Sequence, residues 1–213
     1  MSLHRPLVLL SLLVSLALPA LRAEAMTVLA VDLSGLVQTS ELVLHGTVVA
    51  VENRDRRAEG KGVWTAFTLE VAAVWKGEAA FKVSPARAGK RLTWAHPGGT
   101  RTDGLVVSVP GMPTFAVGEE VVVALEKTAH GYVICGGPQG KWSVRTDKAG
   151  KKTVTREMPD VQFLAPSAAS GTLGPAPTPP QAARTLAEFK ADVEKAQKSP
   201  AQTPAPIPVQ RLK

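Results

Sequence analysis

Residues 42–51 (LVLHGTVVAV) and 63–75 (VWTAFTLEVAAVW) decide the fold. In the second run Val63, Thr65, Phe67, Leu69, Val71, Ala73 and Trp75 recur at every other position. That period is the mark of a strand with one buried face. The run is longer than an ordinary strand, so it either bends over a barrel or is split by a bulge. Gly46 inside the first run predicts a bulge or a close backbone approach. Between the two lies 52–61 (ENRDRRAEGK), a charged and solvated hairpin connection.

Outward from this pair, short apolar segments alternate with turn signals. Strands are expected at 26–31, 80–83, 91–94, 105–109, 121–125, 131–135, 141–146 and 151–155. Residues 32–40 suit a short helix capped by Asp32 or Ser34. Phe115 is placed to pack back over the sheet. Many strands and little helix argue an all-β domain, an OB-like or related small β-barrel over 26–164. Residues 165–180 (APSAASGTLGPAPTPP) have the composition of a Pro-rich linker. Residues 181–197 then read as an amphipathic C-terminal helix, with Pro180 at its first turn and a stripe of Ala182, Leu186, Phe189 and Val193. Docking on the barrel, pairing with a partner and partial folding all stay open for it. Residues 198–213 form a Pro-rich tail expected to be disordered.

The N-terminus reads as an export signal. Arg5 precedes an apolar run, 7–18, and Ala23-Glu24-Ala25 has the A-x-A form of a cleavage site. The run holds about twelve residues, short of the roughly 20 that span a bilayer. Residues 1–25 are therefore expected to be removed, which places the product in the periplasm or outside the cell with no stable membrane span. The chain of 213 residues carries a net charge of +7. Lys and Arg are scattered among acidic residues, so nucleic acid is a disfavoured partner. Cys135 is the single cysteine. No intramolecular disulfide can form, and a strand position suits a buried thiol.

Catalytic signatures are missing from the spacing. His45, His96 and His130 do not stand at zinc-ligand intervals. A triad of Ser108, His130 and Asp103 can be drawn, without a nucleophile elbow to support it. Gly136-Gly137-Pro138-Gln139-Gly140-Lys141 lacks the Ser or Thr that follows the lysine of a phosphate loop. No metal or cofactor is expected. The candidate ligand groove is lined by the two glycine loops and flanked by tryptophans. It comprises Trp94, His96, Gly98 and Gly99 on one side and Gln139, Lys141 and Trp142 on the other. Trp64, pointing away from the Phe67 face, joins it as a binding candidate.

Taken in order, 40–48 (SELVLHGTV), 65–71 (TAFTLEV), 74–77 (VWKG), 97–99 (PGG), 113–119 (PTFAVGE), 131–134 (GYVI) and 140–142 (GKW) resemble an exported bacterial, myxobacterial-type β-domain family. The resemblance covers about residues 27–150 and implies a fold rather than an activity. The paired runs ending in Trp75-Lys76-Gly77 are also similar to the netrin-like barrel of tissue metalloproteinase inhibitors, which implies an OB-type fold. Those inhibitors chelate metal through a disulfide-fixed N-terminal cysteine, which Met26 cannot replace. The expected function is a non-enzymatic binding or accessory module that recognises a protein or cell-surface component. The alternatives are a hydrolase with a non-local site and a polyanion-binding protein, the latter requiring Arg54, Arg56, Arg57, Lys61, Arg87, Lys90 and Arg91 to share one face.

Overall fold

The computed structural model describes residues 26–158, 161–167, 172–178 and 182–199. Residues 1–25, expected to be an export signal, Pro180 and most of the expected Pro-rich tail lie outside the described residues. In chain order the elements are β1 (Met26–Leu29), α1 (Leu33–Thr39), β2 (Leu42–Asp55), β3 (Val63–Lys76), α2 (Glu78–Val83), β4 (Arg87–Ala88), β5 (Arg91–Pro97), β6 (Gly99–Thr100), β7 (Val106–Val107), β8 (Glu120–Thr128), β9 (Gly131–Ile134), β10 (Lys141–Thr146), β11 (Lys152–Thr155), β12 (Val161–Pro166), β13 (Leu173–Ala176), β14 (Arg184–Thr185) and α3 (Leu186–Lys198).

The domain is mostly β with a C-terminal helix. Its main sheet has nine strands in the order β14-β11-β10-β8-β2-β3-β5-β4, with β9 paired to the far half of β8. The sheet is open, so the expected closed barrel is not formed. It is nonetheless strongly curled, and β9 lies against β5 without a ladder between them. All the pairings from β5 through β3, β2 and β8 to β9 are antiparallel. β5 and β9 therefore run in the same direction.

Curling follows from the β2–β3 ladder, which shifts register at Val43/Leu44, His45/Gly46 and Val48/Ala50. Each shift bends the pair and increases its twist. The shifts also correct the single-face reading of 63–75. Phe67, Leu69 and Val71 point into one core with Leu44, Val48, Trp94, Val121, Val123 and Leu125. Past the unpaired Ala72 the alternation inverts, and Trp75 joins a second core on the opposite face. Residues 121–125 are buried on both faces of β8, because each face of the central sheet is covered.

The second core is roofed by α1 and α3. Asp32 caps α1 by accepting from the Gly35 amide at 2.7 Å. α3 docks through Phe189, Val193 and Ala196, with Phe189 5.1 Å from Trp142 and 6.1 Å from Trp75. It begins at Leu186 rather than near 181, because Thr185 and Glu188 form a reciprocal capping box. The segment read as a linker holds β13, which pairs with β12, and β12 runs parallel to β1. Residues 80–83, expected as a strand, belong to helix α2, whose Phe81 is buried.

One polar cluster ties the outer face together. Glu120 on β8 accepts from His45 Nε2 of β2 at 2.7 Å and from Lys152 Nζ of β11 at 2.7 and 2.9 Å. Burial pushes the Glu120 carboxyl up, but hydrogen bonds from Lys152 and His45 outweigh it and hold the carboxyl below its ordinary value. A carboxyl lowered in the folded state contributes stability above its unfolded pKa and loses it as pH falls through the folded one. The urea midpoint of the native chain should therefore fall more steeply below about pH 4.5 than that of Glu120→Gln. Parallel curves for the two would show that the cluster carries no such linkage.

Candidate functional site

The chain between β5 and β8 doubles back over one end of the curled sheet, and the sequence of that connection sets its shape. Gly98 and Gly99 follow Pro97 with positive φ. A Cβ on Gly99 would lie 2.5 Å from Thr65 Oγ1 and 2.6 Å from Asn53 Oδ1, so only glycine fits. Asn53 Oδ1 accepts from the Thr100 amide at 2.9 Å, and Thr65 Oγ1 donates to Gly98 O at 2.8 Å. These bonds hold the β6–β7 hairpin against β2 and β3.

Beyond β7, the 108–116 loop returns across the sheet end, anchored by Phe115. Its ring sits 4.8 Å from Phe67 and 5.2 Å from Trp94. Lys141 Nζ lies 4.5 Å above Phe115, donates to Thr114 O and pairs with Glu119 at 2.7 Å. Ser143 Oγ donates to the same Glu119 oxygen at 3.0 Å. His96 is buried, with Nε2 3.0 Å from Pro113 O and Nδ1 3.0 Å from Pro97 O. Two cavities flank the loop. One of about 290 Å³ reaches His96, Gly98 and Gly99, and one of about 830 Å³ reaches Lys141.

Four of the sequence candidates thus converge on this loop: His96, Gly98, Gly99 and Lys141. Trp94 lies beneath it as a fully buried core residue. The single groove between the tryptophans does not form, because Trp94 and Trp142 lie in the two opposite cores. Gln139 is internal. Its amide accepts from Val31 N at 2.9 Å and donates to Leu29 O at 2.8 Å, fixing the end of β1. Trp64 stands beside the loop, opposite Pro97 in the β3–β5 ladder, and donates its indole N–H to Lys61 O at 2.6 Å.

The residues the sequence reading passed over are Leu105, Val106 and Val107, taken there as part of an ordinary strand. They are 59%, 73% and 37% exposed. The available signal was three consecutive aliphatics after a Gly104 turn, without polar alternation. A run of exposed aliphatics is unfavourable unless something binds it.

Catalytic geometry is not assembled among the described residues. Ser108, His130 and Asp103 make no hydrogen bond with one another; Asp103 pairs with Arg101 and lies 3.8 Å from Arg57. No cluster of three metal-ligating side chains occurs among the described residues. Cys135 is buried against Thr39, and burial pushes its thiol up. The basic candidates are largely neutralised where they stand, Arg54 by Glu52, Arg56 and Lys61 by Glu59, and Arg57 by Asp55.

Fold and site together define a curled, open β-sheet domain, roofed by a C-terminal helix, with an apolar hairpin projecting from one end. No protein-family model, curated protein or solved structure matches the chain.

Proposed function

We propose that this is an exported, non-enzymatic binding module of OB type that engages an extended segment of another protein along its β6–β7 hairpin. The OB reading is supported by strand adjacency. β2, β3 and β5 followed by β8 and β9, with β2 joined to β8 and β5 beside β9, is the order of a five-stranded, partly open Greek-key barrel. The likeness of the paired runs 42–51 and 63–75, ending in Trp75-Lys76-Gly77, to the netrin-like barrel points the same way. Export to the periplasm or beyond rests on the Ala23-Glu24-Ala25 signal.

OB-type barrels bind oligonucleotides and sugars on the outer face of their second and third strands. Here those strands are β3 and β5, and the face carries Trp64 opposite Pro97, Ala66 opposite Ala95, Thr68 opposite Thr93 and Glu70 opposite Arg91. Trp64 is the one aromatic among these pairs and no basic stripe runs beside it, so the face lacks the successive stacking platforms and phosphate contacts that hold a nucleic-acid strand. Polyanion binding is accordingly disfavoured.

The observation that carries the protein-binding reading is the exposed Leu105-Val106-Val107 run on a hairpin with a free outer edge. A strand added to that edge gains backbone hydrogen bonds, while alternate side chains enter the adjoining cavities. The test is capture from periplasmic and culture-supernatant fractions by the native chain, Leu105→Asp and Val106→Asp. Loss of a captured protein by about tenfold with both variants is expected, since each buries a charge in the contact. Capture unchanged by either variant would sink the assignment.

A further inference from the structure

A second site lies on the other side of the sheet. Between α1, β11, the β12–β13 pair and α3 is a cavity of about 550 Å³ whose walls include Val154, Ala165, Ala176, Phe189 and Trp142. Ligand pockets commonly hold about 300–1,000 Å³ and combine apolar walls with a few placed polar groups. Arg156 supplies the polar group. It lines this cavity, is only 7% exposed, and its guanidinium carbon lies 5.8 Å from the centre of the Trp142 ring.

Arg156 donates from Nη1 to Gln139 O at 3.2 Å, while its buried Nε has no partner among the described residues. The other charged side chains at the cavity are committed elsewhere. Arg184 pairs with Asp192, and Asp32 caps α1. Burial lowers the Arg156 pKa, and among the described residues no counter-charge restores it, yet arginine stays protonated in proteins. A buried, unpaired charge is costly, and an anion delivered to it removes most of that cost.

We infer that this cavity binds an apolar chain ending in a carboxylate, with Arg156 holding the carboxylate beside Trp142 and the hydrocarbon lying along Ala165, Ala176 and Phe189. One unpaired guanidinium suits a monoanion, and its planar fork matches a carboxylate. The site is independent of the hairpin surface, since it lies on the opposite face of the sheet.

Isothermal titration of the full chain with octanoate, and with octan-1-ol as the uncharged match, tests it. Octanoate is expected to bind at least about tenfold more tightly than the alcohol, the size of a charge-assisted hydrogen bond. Arg156→Met should weaken octanoate by about the same factor while the melting temperature holds or rises, because a buried charge has been removed. Ala176→Phe, which fills the cavity and leaves Arg156 in place, should abolish binding and decides the matter if Arg156→Met does not fold. A short apolar peptide that displaces octanoate only with its C-terminus free would assign the carboxylate to a peptide end; octanoate binding alone would assign it to a small amphiphile. No octanoate binding, equal binding of the alcohol, or binding indifferent to both substitutions overturns the site.

Discussion

Trp94→Ala is expected to destabilise the domain by about 3–5 kcal/mol, the range for removing a large aromatic from a core. Trp94 is fully buried on β5, opposite Phe67, with ring centres 5.6 Å apart, and it meets Phe115 edge-on at 5.2 Å. Truncation leaves a void where Phe67, Phe115 and the β5 backbone meet, and rigid strands on either side limit collapse into it. A typical domain has only about 5–15 kcal/mol in total, so the variant should approach the unfolding threshold at 37 °C. Trp94→Phe separates packing from polarity. The indole Nε1 is buried without a partner, so the smaller ring loses contact area but also removes an unsatisfied donor. Its cost should be about 1 kcal/mol. Urea denaturation followed by circular dichroism checks both. Equal losses for Ala and Phe would show that Trp94 does not pack as described. Because Phe115 anchors the 108–116 loop on Trp94, the Ala variant should also weaken capture through the β6–β7 hairpin.

Gly46→Ala is the second large effect, about 3 kcal/mol, at the upper end of what overpacking costs. Its added Cβ would stand 2.1 Å from Glu70 O, a backbone atom of the neighbouring strand, and 3.1 Å from Leu69 Cγ. β2 is paired on both sides, to β3 and β8, so it cannot move away from one neighbour without straining the other. The control is Gly150→Ala, in the turn between β10 and β11. There φ is +79° and no atom lies within 4 Å of the new Cβ. That substitution meets only left-handed backbone strain, about 1 kcal/mol. Thermal melts of the two variants should rank Gly46→Ala well below Gly150→Ala. The reverse order would mean that the β2–β3 approach is looser than its register shift implies.

Much of this was open to reading in the chain. The period of 63–71 marked an inward face, Gly46 announced the irregular pairing, and Asp147-Lys148-Ala149-Gly150 announced the β10–β11 turn. Leu186, Phe189 and Val193 marked the apolar stripe of α3 but not that it docks, Ala182 of the expected stripe precedes the helix, and the Thr185–Glu188 box that sets its first turn was present but unread. At the candidate site, Pro97-Gly98-Gly99 could be recognised as a turn and Phe115 as a residue that packs back. Which tryptophan faced which core could not.

Sequence alone determined what depends on neighbours along the chain. Strand period, turn chemistry and helix capping are written in spacings of a few residues. The tertiary structure decided what depends on inversion and closure. One extra residue at Ala72 sends Trp75 through to the far face, so a stripe continuous in sequence divides between two cores. The same curl exposes Leu105, Val106 and Val107 on a free hairpin and leaves Arg156, a residue without local distinction, buried beside Trp142 with no carboxylate paired to it among the described residues. Burial and pairing are properties of distant segments brought together, and no local pattern encodes them.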